Sequence, residues 1–188
     1  MGVSRDDRRR QEEPRGREST TMRGRAHVYA RARISADDII PMRHQNGGAE
    51  ADLGRHALAG IDPGFAGRVQ KGDILIAGED FGCGSGREHV VWALRGAGIA
   101  AVVAASFSRV FFRNALNNGF IVVECPGAVE RAAVGDLLEV DLQDAAVKNL
   151  TKGESYPFVP LTPFAMEILE AGGLLPYVLR QTTGASSA

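Results

Sequence analysis

The sequence predicts an α/β domain organised around parallel strands, and three observations carry that expectation. Strand-like apolar runs alternate with helix-like segments across residues 71–124, and this order implies parallel pairing through right-handed crossovers. The runs KGDILIAG (71–78), GIAAVVAA (98–105) and FIVVE (120–124) lack polar alternation, as strands covered on both faces do. Glycine is over-represented, at 23 of 188 residues against an average of about 7%. It clusters between these runs, where turns are needed.

Composition narrows the function classes. Hydrophobic residues make up 44% and charged residues 24%, which suits a globular chain with a real core. With 22 basic and 23 acidic side chains the net charge is -1, against the strong positive charge of domains that coat nucleic acid. No apolar run approaches the roughly 18 residues of a membrane span, and no secretory h-region is visible. Two cysteines, Cys83 and Cys125, make neither a disulfide framework nor a four-thiolate metal site. A reducing, cytoplasmic setting is the expectation.

Residues 1–25 hold eight Arg, five acidic residues and little that is apolar, so they read as a disordered tail. Such a tail is either a solvated extension or a basic arm for an acidic partner. HVYARARI (27–34) alternates and predicts the first strand. SADDIIP (35–41) is closed by Pro41. Residues 42–68 carry NGG and DPG turn signals and predict a long loop with room for one helical turn.

Beyond the glycine turn, REHVVWALRG (87–96) predicts a helix ending at Gly96. SFSRVFFRNALNNG (106–119) predicts a helix capped by Ser106 and stopped by Gly119. Residues 126–135 suit a short helix. DLLEVDL (136–142), AAVKNL (145–150) and SYPFVPL (155–161) predict short antiparallel strands. TPFAMEILEAGG (162–173), with Thr162 as cap and Pro163 behind it, predicts the final helix. The folded domain is expected over 26–180, and 181–188 as a frayed tail.

The most informative stretch is Gly82-Cys83-Gly84-Ser85-Gly86-Arg87-Glu88-His89. It joins a strand to a helix, the crevice where ligands bind in open α/β sheets. Closely spaced glycines allow positive φ and close approach of backbone. A helix N-terminus attracts anions, and Arg87 can grip a carboxylate through paired hydrogen bonds. The expected ligand is a carboxylate or phosphate. A competing explanation makes Ser85 and Glu88 a capping box, which accounts for those residues but not for Arg87. A dinucleotide fingerprint fails, because the third glycine comes early and no acid lies between Glu88 and Glu124. A Walker loop fails for want of a Lys-Ser/Thr pair. The same acid-free stretch holds Arg87, Arg95, Arg109 and Arg113, which are solvated helix faces or together favour an anionic ligand or acidic surface.

GEDFGCGSGREHVVWALRGAGIAAVVAASFSRVFFRNALNNGFIVVE (78–124) closely resembles the small, swivel-domain subunits of the aconitase superfamily, of the isopropylmalate dehydratase type. SADDIIP and EILEAGGLLPYV (167–178) extend the resemblance to roughly residues 22–180. It implies a three-layer β/β/α swivelling domain. It also implies a hydro-lyase that isomerises a 2-hydroxy di- or tricarboxylate by dehydration and rehydration, isopropylmalate in leucine biosynthesis first. Homoaconitase-like and methylmalate-type dehydratases, or a non-catalytic anion-binding module, are the alternatives. A separate large subunit is implied to carry a [4Fe–4S] cluster, and none is expected here, since a cluster needs about three thiolates. Position by position, the resemblance makes Ser85 the base and Arg87 the carboxylate ligand, with Asp37 lining the site. Ala36 replaces the family's threonine before that acid, and Gly86 replaces a usual second serine. The resemblance also makes the loop after Pro41 the seat of substrate choice, where Arg43 and His44 suit a further carboxylate and Met42 an apolar group. His89 and Cys83 are assigned no chemistry.

Overall fold

The computed structural model describes residues 21–45 and 48–184. Residues 1–20 of the expected tail, residues 46–47, and 185–188 lie outside the described residues. Strands β1 (Thr21–Tyr29), β2 (Ile74–Ala77), β3 (Ala101–Ala104), β4 (Ile121–Glu124), β5 (Leu137–Asp141), β6 (Ala146–Asn149) and β7 (Glu154–Pro157) form one sheet of order β4-β3-β2-β1-β5-β6-β7. Among the described residues seven α-helices accompany them: α1 (Ala36–Ile39), α2 (Glu50–Gly54), α3 (His89–Ala97), α4 (Arg109–Asn117), α5 (Pro126–Arg131), and, after the last strand, α6 (Pro163–Ala171) and α7 (Leu174–Gly184).

β1 is the pivot of the sheet. Its first half, Thr21 to Arg25, pairs antiparallel with β5, and its second half, Ala26 to Tyr29, pairs parallel with β2. β2, β3 and β4 then continue in parallel, as expected, while β5, β6 and β7 continue antiparallel. Side chains of successive strand residues point to opposite faces. Leu75, Val102 and Val122 therefore meet Val91, Leu94 and Phe111 of the helices, while Ile74, Ile76, Val103 and Val123 share a second core with Leu138, Val140 and Val147. The sheet curls so that its antiparallel half covers one face of its parallel half. The resulting stack is antiparallel β, parallel β, then helices, the β/β/α layering that was expected.

Several boundaries differ from expectation. The first strand occupies Thr21–Tyr29, not 27–34, so residues 21–25 belong to the sheet and not to a tail. Composition misleads here because the acids that answer its arginines are distant in sequence. Arg23 pairs with the buried Glu139, and the Arg25 N–H donates to Asp73. The strand ends before Arg33, which takes φ 58 and turns the chain toward Glu79. Among the described residues, segment 42–68 holds more than the one helical turn expected. It contains α2 and two 3₁₀ turns, Met42–His44 and Phe65–Gly67, pinned by fully buried Leu53, Leu58 and Phe65.

α3 runs past Gly96 to a left-handed cap at Gly98 (φ 101). α4 is capped by Ser108, whose hydroxyl accepts from Phe111 N, whereas Ser106 accepts from Asp80 N at 2.9 Å. Thr162 and Gly172 bound α6 as expected. A further helix, α7, follows it and includes residues 181–184, which were expected to fray.

Entry into β2 is set by one carboxylate. Asp73, 6% exposed, accepts from Gln70 N at 2.8 Å and Arg25 N at 3.2 Å, with His27 Nε2 at 2.8 Å. Burial pushes its carboxyl up, but the Gln70, His27 and Arg25 donors outweigh it and hold it below the usual carboxylate range. A depressed folded pKa adds stability above the unfolded value, and that stability is lost as pH falls through the folded one. Asp73→Asn is expected to cost about 1–3 kcal/mol at neutral pH. The loss should shrink as pH falls below about 4, as urea midpoints measured across pH would show.

Candidate functional site

The turn after β2 is held from two sides. On one side, Gly82 N donates to Ile34 O and Ala36 N to Cys83 O, both at 2.8 Å, so segment 34–36 runs parallel to the turn. On the other, α4 grips it through side chains: Ser108 Oγ donates to Gly82 O at 2.9 Å and Asn114 Nδ2 to Gly86 O at 2.8 Å. Gly82 is required there. Its φ is +78, and a Cβ would sit 2.4 Å from the Phe111 ring.

Three expected residues meet at this turn. Arg87 Nε donates to Ser85 Oγ at 2.8 Å, and the same guanidinium reaches Asp37 Oδ1 at 3.1 Å. Asp37 lies on α1, brought in by the 34–36 contact and by the capping box of Ser35 and Asp38. The Asp37 side chain is 66% exposed and that of Arg87 31%, so the cluster faces outward. A guanidinium against a hydroxyl favours the oxyanion of that hydroxyl, and a guanidinium has five N–H donors, more than these two contacts use. The structure thus brings a hydroxyl, a guanidinium and a carboxylate together on one outward-facing turn.

The capping-box explanation of Ser85 does not hold. α3 begins at His89, Glu88 occupies its cap position without a side-chain cap bond, and Ser85 bonds Arg87 instead. Arg87 thus lies just outside the helix N-terminus, where its charge is answered by Asp37. His89 packs against Trp92, with ring centroids 5.2 Å apart.

Arg43 and His44 occupy the 3₁₀ turn after Pro41 and bond each other, Nε to Nε2, at 3.1 Å. His44 also stacks on His56 at 3.9 Å and 8°. Partial burial, then His56 and Arg43, push its imidazole below the ordinary range. Among the described residues no hydrogen bond or ion pair joins either side chain to Ser85, Arg87 or Asp37. Sequence reasoning missed Ser108 and Asn114 as the residues that hold the turn. The serine-x-serine spacing of Ser106 and Ser108 is the signal for it, and the second serine is the one that caps α4 and holds the turn.

The described residues contain no group of three or more His, Cys, Asp or Glu able to hold a metal ion. The thiolate set of the chain does not fit an iron–sulfur cluster. It has two cysteines, and Cys125 is fully buried, its thiol pushed up by burial and facing the Tyr156 and Pro157 carbonyls. No described helix is long and apolar enough to cross a membrane.

The profile of the family called Aconitase C-terminal domain matches residues 19–128, which include the whole turn and its supports. The chain belongs to this family. Among Aconitase C-terminal domain relatives, a protein of Deinococcus deserti named 3-isopropylmalate dehydratase small subunit is 50% identical over 157 residues, spanning 84% of this chain and 87% of that one. A protein of the same name from Moorella thermoacetica is 48% identical, over 85% and 96%. The isopropylmalate/citramalate isomerase small subunit of Methanocaldococcus jannaschii is 45% identical, over 79% and 88%. A crystal structure of 3-isopropylmalate dehydratase from Methanocaldococcus jannaschii superimposes with a TM-score of 0.84 at 36% identity, over 88% of this chain and 98% of that chain. The layering described above is the swivel-domain fold of this family.

Gly86 has a steric counterpart. A Cβ added there would lie 2.3 Å from Val110 Cγ1 on α4. A valine rotamer in a helix is stiff, so a serine at 86 must displace it. Gly86→Ser alone is expected to lower stability by about 1 kcal/mol or more. Adding Val110→Ala should recover most of that loss, seen as non-additive melting temperatures in a double-mutant cycle.

Proposed function

We propose that this chain is the small subunit of a 3-isopropylmalate dehydratase, a hydro-lyase that isomerises a 2-hydroxy dicarboxylate in leucine biosynthesis. The observation that carries the reading is the convergence of Ser85, Arg87 and Asp37 on one outward-facing turn. The names and near full-length coverage of the relatives support it. The enzyme works in the cytoplasm with a large subunit that carries the [4Fe–4S] cluster, since this chain lacks the thiolates for one.

In this reading Arg87 takes a substrate carboxylate, exchanging its contact with Asp37 for the ligand. Ser85 removes the proton from the substrate carbon in dehydration and returns one in rehydration. A serine hydroxyl is a weak base, so it needs the adjacent guanidinium and exclusion of water. The turn is exposed, and closure of the large subunit over it supplies that exclusion. Asp37 lines the site and holds Arg87 ready. Arg43 and His44 form the outer wall and select the substrate's far end. The citramalate in the name of the Methanocaldococcus jannaschii relative makes a methylmalate-type substrate the second reading.

The test is anaerobic co-expression with the large subunit, followed by a panel of isopropylmalate, citramalate, homocitrate and citrate. Isopropylmalate turnover is expected from the complex and not from this chain alone, and turnover by the lone chain would refute the two-subunit scheme. In the complex, Ser85→Ala should lower kcat about 10²–10⁴-fold with little change in KM. Arg87→Lys should mainly raise KM, because lysine lacks the planar fork.

A further inference from the structure

The four arginines of the acid-free stretch divide in the structure. Arg87 serves the glycine turn, and Arg95 pairs with Glu50 on α2, Nε at 3.1 Å and NH2 at 2.7 Å. Arg109 and Arg113 have no hydrogen bond or ion pair among the described residues. Both line one cleft of about 630 Å³ between α4 and the segment joining β7 to α6. Its walls include Phe107, Phe112, Leu161 and Glu124.

α4 separates this cleft from the glycine turn. Val110 and Asn114 face the turn, Phe111 and Ala115 are buried in the helix-side core, and Arg109, Phe112 and Arg113 face the cleft. Glu124 ends β4 and Phe107 follows β3, so the cleft opens at the carboxyl end of the parallel strands, where α/β sheets bind ligands. Its volume falls within the range of small-molecule sites, roughly 300–1,000 Å³.

We propose that this cleft binds a small monocarboxylate with an aliphatic body, at a site separate from the Ser85–Arg87 turn. Two unpaired guanidiniums one helical turn apart suit a carboxylate, which accepts their N–H groups in pairs. The aromatic and leucine walls take the aliphatic body and lose water as they do so. Glu124, whose Oε1 accepts from Phe107 N at 3.2 Å, adds one negative charge to the lining. That charge opposes a second anionic group on the ligand, so dicarboxylates are disfavoured.

The full-length chain is titrated calorimetrically with 4-methylpentanoate, its neutral amide 4-methylpentanamide, acetate and succinate. The carboxylate with the branched body should bind with Kd of about 1 mM or tighter, and the other three at least about tenfold more weakly. Arg109→Ala and Arg113→Ala should each weaken binding about tenfold with unchanged melting temperature, since neither side chain has an internal partner. The double variant Arg109→Glu/Arg113→Glu should abolish it. Ser85→Ala should bind the probe as the parent does, which keeps this outcome independent of the dehydratase reading. The proposal is overturned by absence of binding, by equal binding of acetate or the amide, or by binding that survives in the double variant. It is also overturned if Ser85→Ala loses the probe. If the assembled two-subunit complex excludes the probe and the arginine variants weaken assembly, the cleft is a subunit interface and the proposal falls.

Discussion

Ile34 and Ala36 share backbone hydrogen bonds with Gly82 and Cys83, and this short parallel contact carries Asp37 to Arg87 across a separation of 50 residues. Every element of the site depends on it. β1 delivers the 34–36 segment, and β2 delivers the turn. The parallel pairing of β1 with β2 makes the two strands end on the same side of the sheet. The close approach of the Phe111 ring to Gly82 then fixes the turn from the third direction. A side chain at residue 82 would drive α4 away and take Ser108 and Asn114 with it.

The electrostatics follow the same division of labour. Two acids with depressed pKa stand at strand entries, where donors surround them: Asp73 before β2 and Asp136 before β5, the latter held by Ala133 N and Asn149 Nδ2. These carboxylates place strands and perform no chemistry. The outward-facing ions at the glycine turn are half-satisfied by one another, which leaves hydrogen-bonding capacity for a ligand. A surface pair of this kind contributes only about 0–1 kcal/mol to the fold. Its exchange for a substrate carboxylate is therefore inexpensive, which suits a ligand grip.

Much of this was legible in sequence because it is local. The apolar runs at 74–77, 101–104 and 121–124 declare parallel strands by themselves, and Thr162 with Pro163 and Gly172 declares α6 at both ends. Ser85 and Arg87 stand out because three glycines surround them. What escaped is set by distant partners. Arg23 looks like tail until Glu139 is beside it. Leu53, Leu58 and Phe65 look like loop residues until distant elements bury them, Phe65 against the His27 and Tyr29 rings of β1. Ser85 and Glu88 have the spacing of a capping box, yet the helix starts later because the Arg87 guanidinium takes the Ser85 hydroxyl. Only resemblance groups Arg43 and His44 with the site. Their observed partners are each other and His56.

The central claim is that the Arg87 fork changes partner, from Asp37 to substrate, beside the Ser85 hydroxyl. A crystal structure of the two-subunit complex with bound isopropylmalate tests it most directly. The account predicts a substrate carboxylate on Arg87 and Ser85 Oγ within about 3 Å of the reacting carbon or its proton. A ligand bound elsewhere, with Arg87 still on Asp37 and Ser85 turned to solvent, would contradict it.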